Sequence, residues 1–332
     1  MQDKIKNRPI FIVGCERSGT TMLRLILSSH KNIAIPPQTK FFKKLYKRRL
    51  FFGDLSKQKN RHKLIKRFYD NHDRNTKIID LGIDKTDIHC SLSKSSDTLG
   101  SFLSVIPKLY LQNHNKARWG DKHPYYIKYL PQLYKLFPDA QVIHIIRDGR
   151  DAVASLKRMP WWKQNSIFAM LNWQEAIKKG LVAKSKYNSD QFMEIRYEDL
   201  IDDPVKSVKS ICSFLGEDYS DDLLKFQKLS KEAIPNYKMK WHSATKNEIN
   251  SSSIGKWSKE LEPWEIALLN KKFNKELILY DYDITNNVAS ISLKIYFRYL
   301  FTKIHYKYLQ HGTVLVDKLL SVLYRWDLDY RN

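Results

Sequence analysis

The chain has 332 residues, of which 42% are hydrophobic, so it is long enough for one large α/β domain with insertions or for two smaller domains. Lys and Arg number 58 against 35 Asp and Glu, and the formal net charge of +23 favours an acidic ligand, nucleic acid or an anionic membrane surface as a partner. The three cysteines, Cys15, Cys90 and Cys212, show no CxxC spacing. This pattern excludes a disulfide framework or a thiolate metal cluster as the organising principle and suits a reducing compartment.

Strand and helix patterns alternate along most of the chain. The predicted strands are residues 9–13, 32–37, 141–146 and 192–197, with 118–122 as a short strand or turn. The predicted helices are residues 20–29, a basic stretch from 38 to 50, 99–113, 124–137, 150–157, 167–184 and 204–215. Residues from about 53 to 97 form an insertion to which we assign no structure. The alternation predicts a mainly parallel, doubly wound, three-layer α/β sheet with its ligand crevice at the carboxyl ends of the strands.

Neither end of the chain carries a membrane-spanning pattern. Residues 1–14 contain only a short apolar run, so we expect a cytoplasmic protein, either soluble or bound peripherally at the inner membrane surface. Residues 286–332 interleave aromatic and basic side chains and are predicted to form a helical appendage to a domain of residues 1–285. This appendage is read as a pair of helices packed on the domain, or as an interfacial membrane contact.

A glycine-framed loop follows the first predicted strand. Residues 11–23 read FIVGCERSGTTML, in which Gly14 and Gly19 have the GxxxxG spacing of a triphosphate-binding loop. Thr20 occupies the position of the usual lysine, and Arg17 lies inside the loop instead. Backbone N–H groups, hydroxyls, a helix N-terminus and one cation can still bind an anion, but the pattern disfavours a magnesium triphosphate.

A second anion site is predicted after the strand QVIHII, which ends in Arg147 rather than in an acid. Ser155 follows about two helical turns later, so the pair is suited to binding a second phosphate. The alternative is a structural ion pair between Arg147 and Asp151. Two anion sites with no evident metal site point to a nucleotide that carries phosphates at two positions.

These two segments carry a family resemblance. GCERSGTTML resembles the 5′-phosphosulfate loop of sulfotransferases that use 3′-phosphoadenosine 5′-phosphosulfate (PAPS), and IIRDGRDAVAS resembles their 3′-phosphate motif. The segments NIAIPPQTKFF, RWGDKHP, RYEDLIDDP and SIGKWSKEL are similar to further elements of the bacterial and tyrosylprotein-type branch, in the same order. The resemblance covers about residues 9–260 and implies PAPS as co-substrate, with no metal. The cofactor-binding residues that it implies are Arg17, Ser18, Gly19, Thr20, Thr21, Arg147, Ser155, Tyr197, Gly255, Lys256 and Trp257.

The implied chemistry is a metal-independent in-line transfer of a sulfonate group to an acceptor hydroxyl or amine. Arg17 is the expected stabiliser of the leaving 5′-phosphate, and Lys122 either contacts the moving sulfonate or is an ordinary surface group. Related sequences usually have Glu where this chain has Gln38, and a neutral amide cannot accept the acceptor's proton. His123 is therefore the candidate base, with Gln38 as a hydrogen-bonding residue that orients the acceptor. The alternative for His123 is to cap the following helix or to line the acceptor pocket.

Other residues have simpler interpretations. His144 is expected to be an interior histidine, and Trp161, Trp162 and Trp173 either form an acceptor or adenine wall or pack in the core.

The alternative functions are a degenerate P-loop kinase or NTPase, a non-catalytic polyanion- or membrane-binding protein, and a PAPS-binding protein without turnover. No nucleic-acid module accompanies the charge, which disfavours a nucleic-acid partner. A carbohydrate or glycolipid hydroxyl is the preferred acceptor, while a tyrosine peptide or a small molecule stays open.

Overall fold

The computed structural model describes residues 8–38, 46, 52–69, 78–227, 249–284 and 289–323. The helix predicted over residues 38–50 lies outside these ranges except at its first residue and Tyr46. Among the described residues, no helix combines the length and the apolar character needed to cross a membrane.

A five-stranded parallel sheet forms the centre of the protein, which confirms the predicted α/β class. Its strands are β1 Ile10–Gly14, β2 Ile33–Ala34, β3 Arg118–Lys122, β4 Gln141–Ile146 and β5 Phe192–Arg196. They lie in the order β2-β3-β1-β4-β5, and each neighbouring pair is parallel. The second strand is shorter than the predicted 32–37 because Pro36 and Pro37, which have no backbone N–H, cannot extend its ladder.

Thirteen α-helices lie within the described residues. They are α1 Thr20–Ser28, α2 Gln58–Tyr69, α3 Lys85–Lys94, α4 Leu99–Asn113, α5 Leu130–Leu136, α6 Gly149–Lys157, α7 Ser166–Lys186, α8 Tyr197–Asp202, α9 Pro204–Leu215, α10 Trp257–Glu260, α11 Pro263–Lys272, α12 Asn274–Leu279 and α13 Leu293–Leu323. Short 3₁₀ helices cover Ile79–Leu81, Pro124–Tyr129, Asp221–Lys225 and Ser251–Ser253.

The helices cover both faces of the sheet and give three layers. On one face Ile12 of β1 joins a buried cluster with Leu23 of α1 and Ile211 of α9. On the other face Phe11 belongs to a larger cluster with Phe102 of α4 and with buried residues of α5, α6, α7 and α11. Strands buried on both faces read as continuous apolar runs, which is why β1 and β4 are visible in the sequence.

Three predicted elements differ from the structure. Residues 124–137 are divided into a 3₁₀ helix and α5 because Pro131, near the start of α5, has no N–H to continue the first helix. The insertion at 53–97, for which the sequence pattern predicts no structure, contains α2 and α3. The appendage forms one helix, α13, rather than two, since Gly312 weakens an α-helix without ending it.

The strand order places the ligand crevice. After β1 the chain forms β2 and β3, which lie on one side of β1 in the sheet. The following strands, β4 and β5, lie on the other side of β1. Loops that follow β1 and β4 therefore diverge at the carboxyl edge between these two neighbouring strands, which is where open α/β sheets bind ligands.

Candidate active site

The loop after β1 is held against β4 and α8 by two glycines. A Cβ atom at Gly14 would lie 2.5 Å from the carbonyl oxygen of Ile145, and Gly19 has a φ of +91°. A Cβ atom at Gly19 would lie 2.4 Å from the ring of Tyr197. Only glycine fits either position without a shift of the backbone, so the GxxxxG spacing follows from close packing as well as from anion binding.

Arg17 lies at the centre of this loop in a left-handed backbone conformation, with a φ of 69°. Its Nε donates a hydrogen bond to Oγ of Ser155 on α6 at 3.0 Å. Burial, together with the positive charges of Arg147 and Arg158, lowers the pKa of Arg17 to about 10. The side chain is therefore still cationic at neutral pH, and a bound anion would offset its burial and this repulsion.

Arg147 begins the second loop, at the carboxyl end of β4, and is also buried. Its Nη1 donates to the carbonyl oxygen of Arg17 at 2.9 Å, and its Nη2 donates to the carbonyl oxygen of Ser253. The guanidinium carbon lies 4.6 Å from the ring centre of Tyr197. Nη2 is also 3.9 Å from Oδ2 of Asp151, so the ion pair foreseen as the alternative is present, although it is longer than the two hydrogen bonds.

Two polar atoms in this region are buried without a hydrogen-bond partner among the described residues: Oγ of Ser18 and Nε of Arg147. Gly19 occupies the N-cap position of α1 and has no side chain to cap the helix. The first turn of α1 also contains no acidic residue. Buried polar groups are normally paired, and the exposed N–H groups of a helix N-terminus attract anions. The loop is therefore suited to a phosphate or sulfate group.

The segment that follows residue 249 is joined to this site through Asp151 of α6. The Asp151 carboxylate accepts hydrogen bonds from the backbone N–H of Gly255 at 2.8 Å and of Trp257 at 3.0 Å. Burial raises the pKa of Asp151, while Arg147 and these two hydrogen bonds act in the opposite direction. The guanidinium carbon of Arg150 lies 4.1 Å from the Trp257 ring centre. Lys256, between the two anchored residues, is exposed.

A second group of polar residues lies at the carboxyl end of β3. Lys122 is buried, and its Nζ donates to Oε1 of Gln38 at 2.7 Å and to Oγ1 of Thr21 at 3.3 Å. Thr21 belongs to the first turn of α1, so Lys122 lies beside the loop of residues 14–19, called the anion loop below, rather than on the surface. Thr20, its neighbour in that turn, is buried.

His123 directly follows Lys122 and is buried as well. Its Nδ1 accepts a hydrogen bond from the backbone N–H of Tyr125 at 3.2 Å, which caps the 3₁₀ helix Pro124–Tyr129. The imidazole also stacks on the Tyr126 ring, with ring centres 4.9 Å apart. The capping alternative is thus present in the structure, and a neutral ring with an accepting Nδ1 carries its proton on Nε2.

A hydrogen-bond chain runs from the anion loop to the C-terminal helix. Nδ2 of Asn172 donates to Oε2 of Glu16 at 2.7 Å, and Nζ of Lys128 donates to Oδ1 of Asn172 at 2.9 Å. The same Nζ donates to Oη of Tyr306 at 2.8 Å, and it pairs with Glu175 at 2.5 Å. The appendage therefore contacts the residues that support the loop.

The remaining candidates lie outside the site. His144 is buried in β4, where Nδ1 is 3.1 Å from Oε1 of Glu194, in agreement with an interior histidine. Trp173 is fully buried, and its Nε1 donates to the carbonyl oxygen of Arg147 at 2.9 Å, which identifies it as a core residue. Trp161 is 40% exposed, and its ring lies edge-on to that of Trp162.

All fourteen predicted cofactor and catalytic residues are thus grouped at the carboxyl ends of β1, β3 and β4 or on the segments tied to them. They are Arg17, Ser18, Gly19, Thr20, Thr21, Gln38, Lys122, His123, Arg147, Ser155, Tyr197, Gly255, Lys256 and Trp257. Their roles stay predictions. Sequence reasoning missed the anchoring function of Asp151, for which the only signal is its position one helical turn after Arg147.

Comparison with known proteins identifies the family. Residues 9–221 match the sequence model of the Sulfotransferase family. Protein-tyrosine sulfotransferase 2 of Gallus gallus is 24% identical over 226 residues, which are 66% of this chain and 54% of that protein. Protein-tyrosine sulfotransferase 1 of Danio rerio is 24% identical over 235 residues, 68% of this chain and 57% of that protein. The chain therefore spans little more than half the length of these two relatives.

Solved structures share the fold. The sulfotransferase domain of the Synechococcus PCC 7002 olefin synthase superposes with a TM-score of 0.58 at 21% identity, covering 84% of this chain and 97% of that one. The sulfotransferase domain from the curacin biosynthetic pathway gives a TM-score of 0.59 at 19% identity, with 84% and 99% covered. The resemblance seen in the two loop motifs is confirmed by the family match, which covers all five strands of the sheet. The chain belongs to the sulfotransferase family.

Proposed function

We propose that the protein transfers the sulfonate group of PAPS to an acceptor hydroxyl. The observation that carries this proposal is the meeting of two anion-binding motifs, in which Arg17 of the first contacts Ser155 of the second and Arg147 bonds the Arg17 carbonyl oxygen. PAPS carries a 5′-phosphosulfate and a 3′-phosphate, so one nucleotide would engage both motifs. Family membership disfavours the kinase or NTPase alternative.

The transfer forms a bond between the acceptor oxygen and sulfur and breaks the bond between sulfur and the bridging oxygen of the 5′-phosphate. Negative charge then collects on the departing phosphate, and the acceptor proton passes to a base. Arg17, the hydroxyl of Ser18 and the first-turn N–H groups of α1 stabilise that charge, since preformed donors in a buried site act without reorganisation. Lys122 is the proposed contact of the sulfonate, and its hydrogen bonds to Thr21 and Gln38 beside the loop support this role.

His123 is the proposed base, and Gln38 orients the acceptor. Because the Tyr125 N–H occupies Nδ1 of His123, proton uptake at that atom requires the capping bond to open. Gln38 keeps the geometry of a hydrogen-bonding partner for Lys122 but supplies no basic oxygen. A protein that binds PAPS without turnover is the outcome expected if neither side chain removes the proton.

The acceptor class has two candidates. The positive net charge favours an acidic carbohydrate or glycolipid hydroxyl. The relatives named as protein-tyrosine sulfotransferases favour the phenolic hydroxyl of a tyrosine peptide. Both are hydroxyl acceptors and use the same loop chemistry.

The test is incubation of the purified protein with PAPS and either an acidic tyrosine peptide or a panel of glycans and glycolipids. Sulfonated product is detected by mass spectrometry, and adenosine 3′,5′-bisphosphate release is followed in parallel. Product that depends on PAPS supports the proposal and identifies the acceptor class. Absence of bisphosphate binding in a calorimetric titration would overturn it, whereas binding without product would leave a nucleotide-binding protein that lacks turnover.

A further inference from the structure

Helix α13 presents two different apolar faces. Its inner face, formed by Tyr299, Thr302 and Tyr306, is buried against the domain. Its outer face carries five large apolar side chains that are 54–77% exposed: Leu293, Phe297, Phe301, Ile304 and Tyr308. Their spacing of three, four or seven residues places them on a single stripe of an α-helix.

The inner face fixes the direction of this stripe. Tyr306 packs edge-on against Phe168 of α7, with ring centres 4.8 Å apart, and bonds Lys128. Nearer the start of the helix, the Tyr299 ring lies 6.2 Å from that of Phe273. At about 100° per residue, the stripe is centred opposite these contacts, so it points away from the domain.

Cationic side chains border the outer stripe on both sides. Lys294 and Arg298 lie along one edge of the helix, and Lys303 and Lys307 lie along the other. Arg298 extends over the Trp264 ring at 5.9 Å, which places its charge at the boundary between the domain and the exposed stripe. No Asp or Glu occurs in the sequence between Asp283 and Asp317.

The positive charge and the exposed apolar area of this face together indicate which kind of partner binds it. A second copy of the chain would bring two cationic borders together, and no acid between Leu293 and Tyr308 would neutralise them. An anionic lipid surface instead accepts apolar side chains among its acyl chains and pairs its headgroups with flanking Lys and Arg. The overall net charge of +23 also favours binding to an anionic lipid surface over self-association.

We propose that the outer face of α13, Leu293 to Tyr308, binds the surface of an anionic bilayer with the helix axis in the plane of the interface. In this arrangement the inner face of α13 keeps its contacts with the domain, and the helix lies between the domain and the bilayer. Tyr306, Lys128 and Asn172 connect the helix to the anion loop. The proposal concerns attachment alone and holds whether or not the protein transfers sulfonate.

The experiment is flotation of the full chain with two kinds of vesicle, phosphatidylcholine alone and phosphatidylcholine mixed with phosphatidylglycerol. The parent protein is expected to float with the mixed vesicles, and added salt should reduce the floated fraction. The double variant Phe297→Ser, Phe301→Ser should lower vesicle affinity at least tenfold. The double variant Lys294→Gln, Arg298→Gln should reduce binding to mixed vesicles, with no effect on any binding to phosphatidylcholine alone.

Val182→Ser is the matched control, because Val182 is an apolar residue of α7 that is 60% exposed and lies outside the stripe. A parental circular-dichroism spectrum and a parental melting temperature verify that each variant is folded, independently of nucleotide binding. Parent protein that fails to float with mixed vesicles overturns the proposal, as does equal flotation of the Phe297→Ser, Phe301→Ser variant. A concentration-dependent dimer in sedimentation that only this variant abolishes would assign the face to a second copy instead.

Discussion

Arg17 donates a hydrogen bond from Nε to Oγ of Ser155 at 3.0 Å, so a side chain from the loop after β1 reaches the second turn of α6. The two residues are 138 positions apart in the chain. Arg147 completes the connection by bonding the carbonyl oxygen of the same Arg17. The two motifs proposed to bind anions are therefore in direct contact, and a change in either is expected to alter the binding of a ligand that spans both.

Arg147→Ala should weaken the binding of adenosine 3′,5′-bisphosphate. Loss of a buried cation that donates to a charged ligand costs about 1.5–3 kcal/mol, which corresponds to about a 10- to 100-fold rise in Kd. Isothermal titration calorimetry measures the change. Arg298→Ala removes an exposed positive charge of the same kind and should leave the affinity unaltered. Equal affinity of Arg147→Ala and the parent would contradict a second anion site at this residue.

Arg17→Asn should reduce turnover more than nucleotide binding. Asparagine tolerates the left-handed backbone of residue 17 but supplies no charge, so the leaving phosphate loses its cation. Removal of one such stabilising group lowers kcat by about 10²–10³. Steady-state kinetics and calorimetry on the same preparation separate the two effects. A Kd that rises as much as kcat falls would make Arg17 a plain binding residue.

The same variant should also be more stable than the parent when no ligand is bound. The pKa of Arg17 is lowered from its ordinary value to about 10 on folding, so the folded state disfavours the charged form. This destabilisation is fully present below about pH 10 and disappears as the pH rises through the folded-state pKa toward that of the unfolded chain. Arg17→Asn should therefore raise Tm by a constant amount across the neutral range. A Tm gain that vanishes at neutral pH would contradict this origin.

Local sequence features were sufficient for the centre of the site. β1 and β4 are buried on both faces, so their apolar runs are continuous, and each is followed directly by residues predicted to bind an anion. The turn at Gly14 and Gly19 is likewise encoded locally by the need for residues without Cβ. The parallel-sheet prediction places both loops at one carboxyl edge, but no pattern in the sequence predicts the hydrogen bond between Arg17 and Ser155.

Features that depend on distant contacts were missed. Helix α2 is rich in Lys and Arg, and among its residues 58–64, whose side chains the structure describes, only Asn60 and Leu64 are buried. Its helical pattern in the sequence is therefore weak. Asp151 is one of many acids in the sequence, and its function arises from backbone N–H groups about a hundred residues later. Tyr306 likewise gains its role only when α13 packs on α7. No spacing rule connects residues so far apart.

Asp151→Asn should loosen the segment around Gly255. The carboxylate accepts two backbone N–H groups, whereas an amide presents one accepting oxygen and directs its NH₂ at the second N–H. An unsatisfied buried group costs about 1–3 kcal/mol, so nucleotide affinity should fall about tenfold or more. Tryptic cleavage after Lys256 should also accelerate.

Asp202→Asn, which alters an exposed carboxyl on α8, is the control for this substitution. Parental cleavage and parental affinity in Asp151→Asn would show that the segment is held by other contacts.

Tyr306→Phe should destabilise the whole protein rather than the helix alone. Its hydroxyl bonds both Lys128 and Glu175, and hydrogen bonds to charged groups contribute about 1.5–3 kcal/mol. A lower free energy of unfolding in urea is the expected result. Tyr308→Phe removes a hydroxyl from the exposed face of the same helix and should have no effect. Equal stability of both variants would mean that α13 is not coupled to the domain through Tyr306.

His123 offers a test that separates proton transfer from helix capping. His123→Ala removes both functions, while His123→Asn keeps an oxygen that can accept the Tyr125 N–H, since asparagine is a favoured N-cap residue. If His123 is the base, both variants should lose about 10²–10⁴ of kcat and retain nucleotide affinity. Only His123→Ala should show the additional loss of about 1 kcal/mol in stability from the missing cap. The base hypothesis fails if His123→Asn turns over at the parental rate, because a side chain that only caps the helix would then be sufficient.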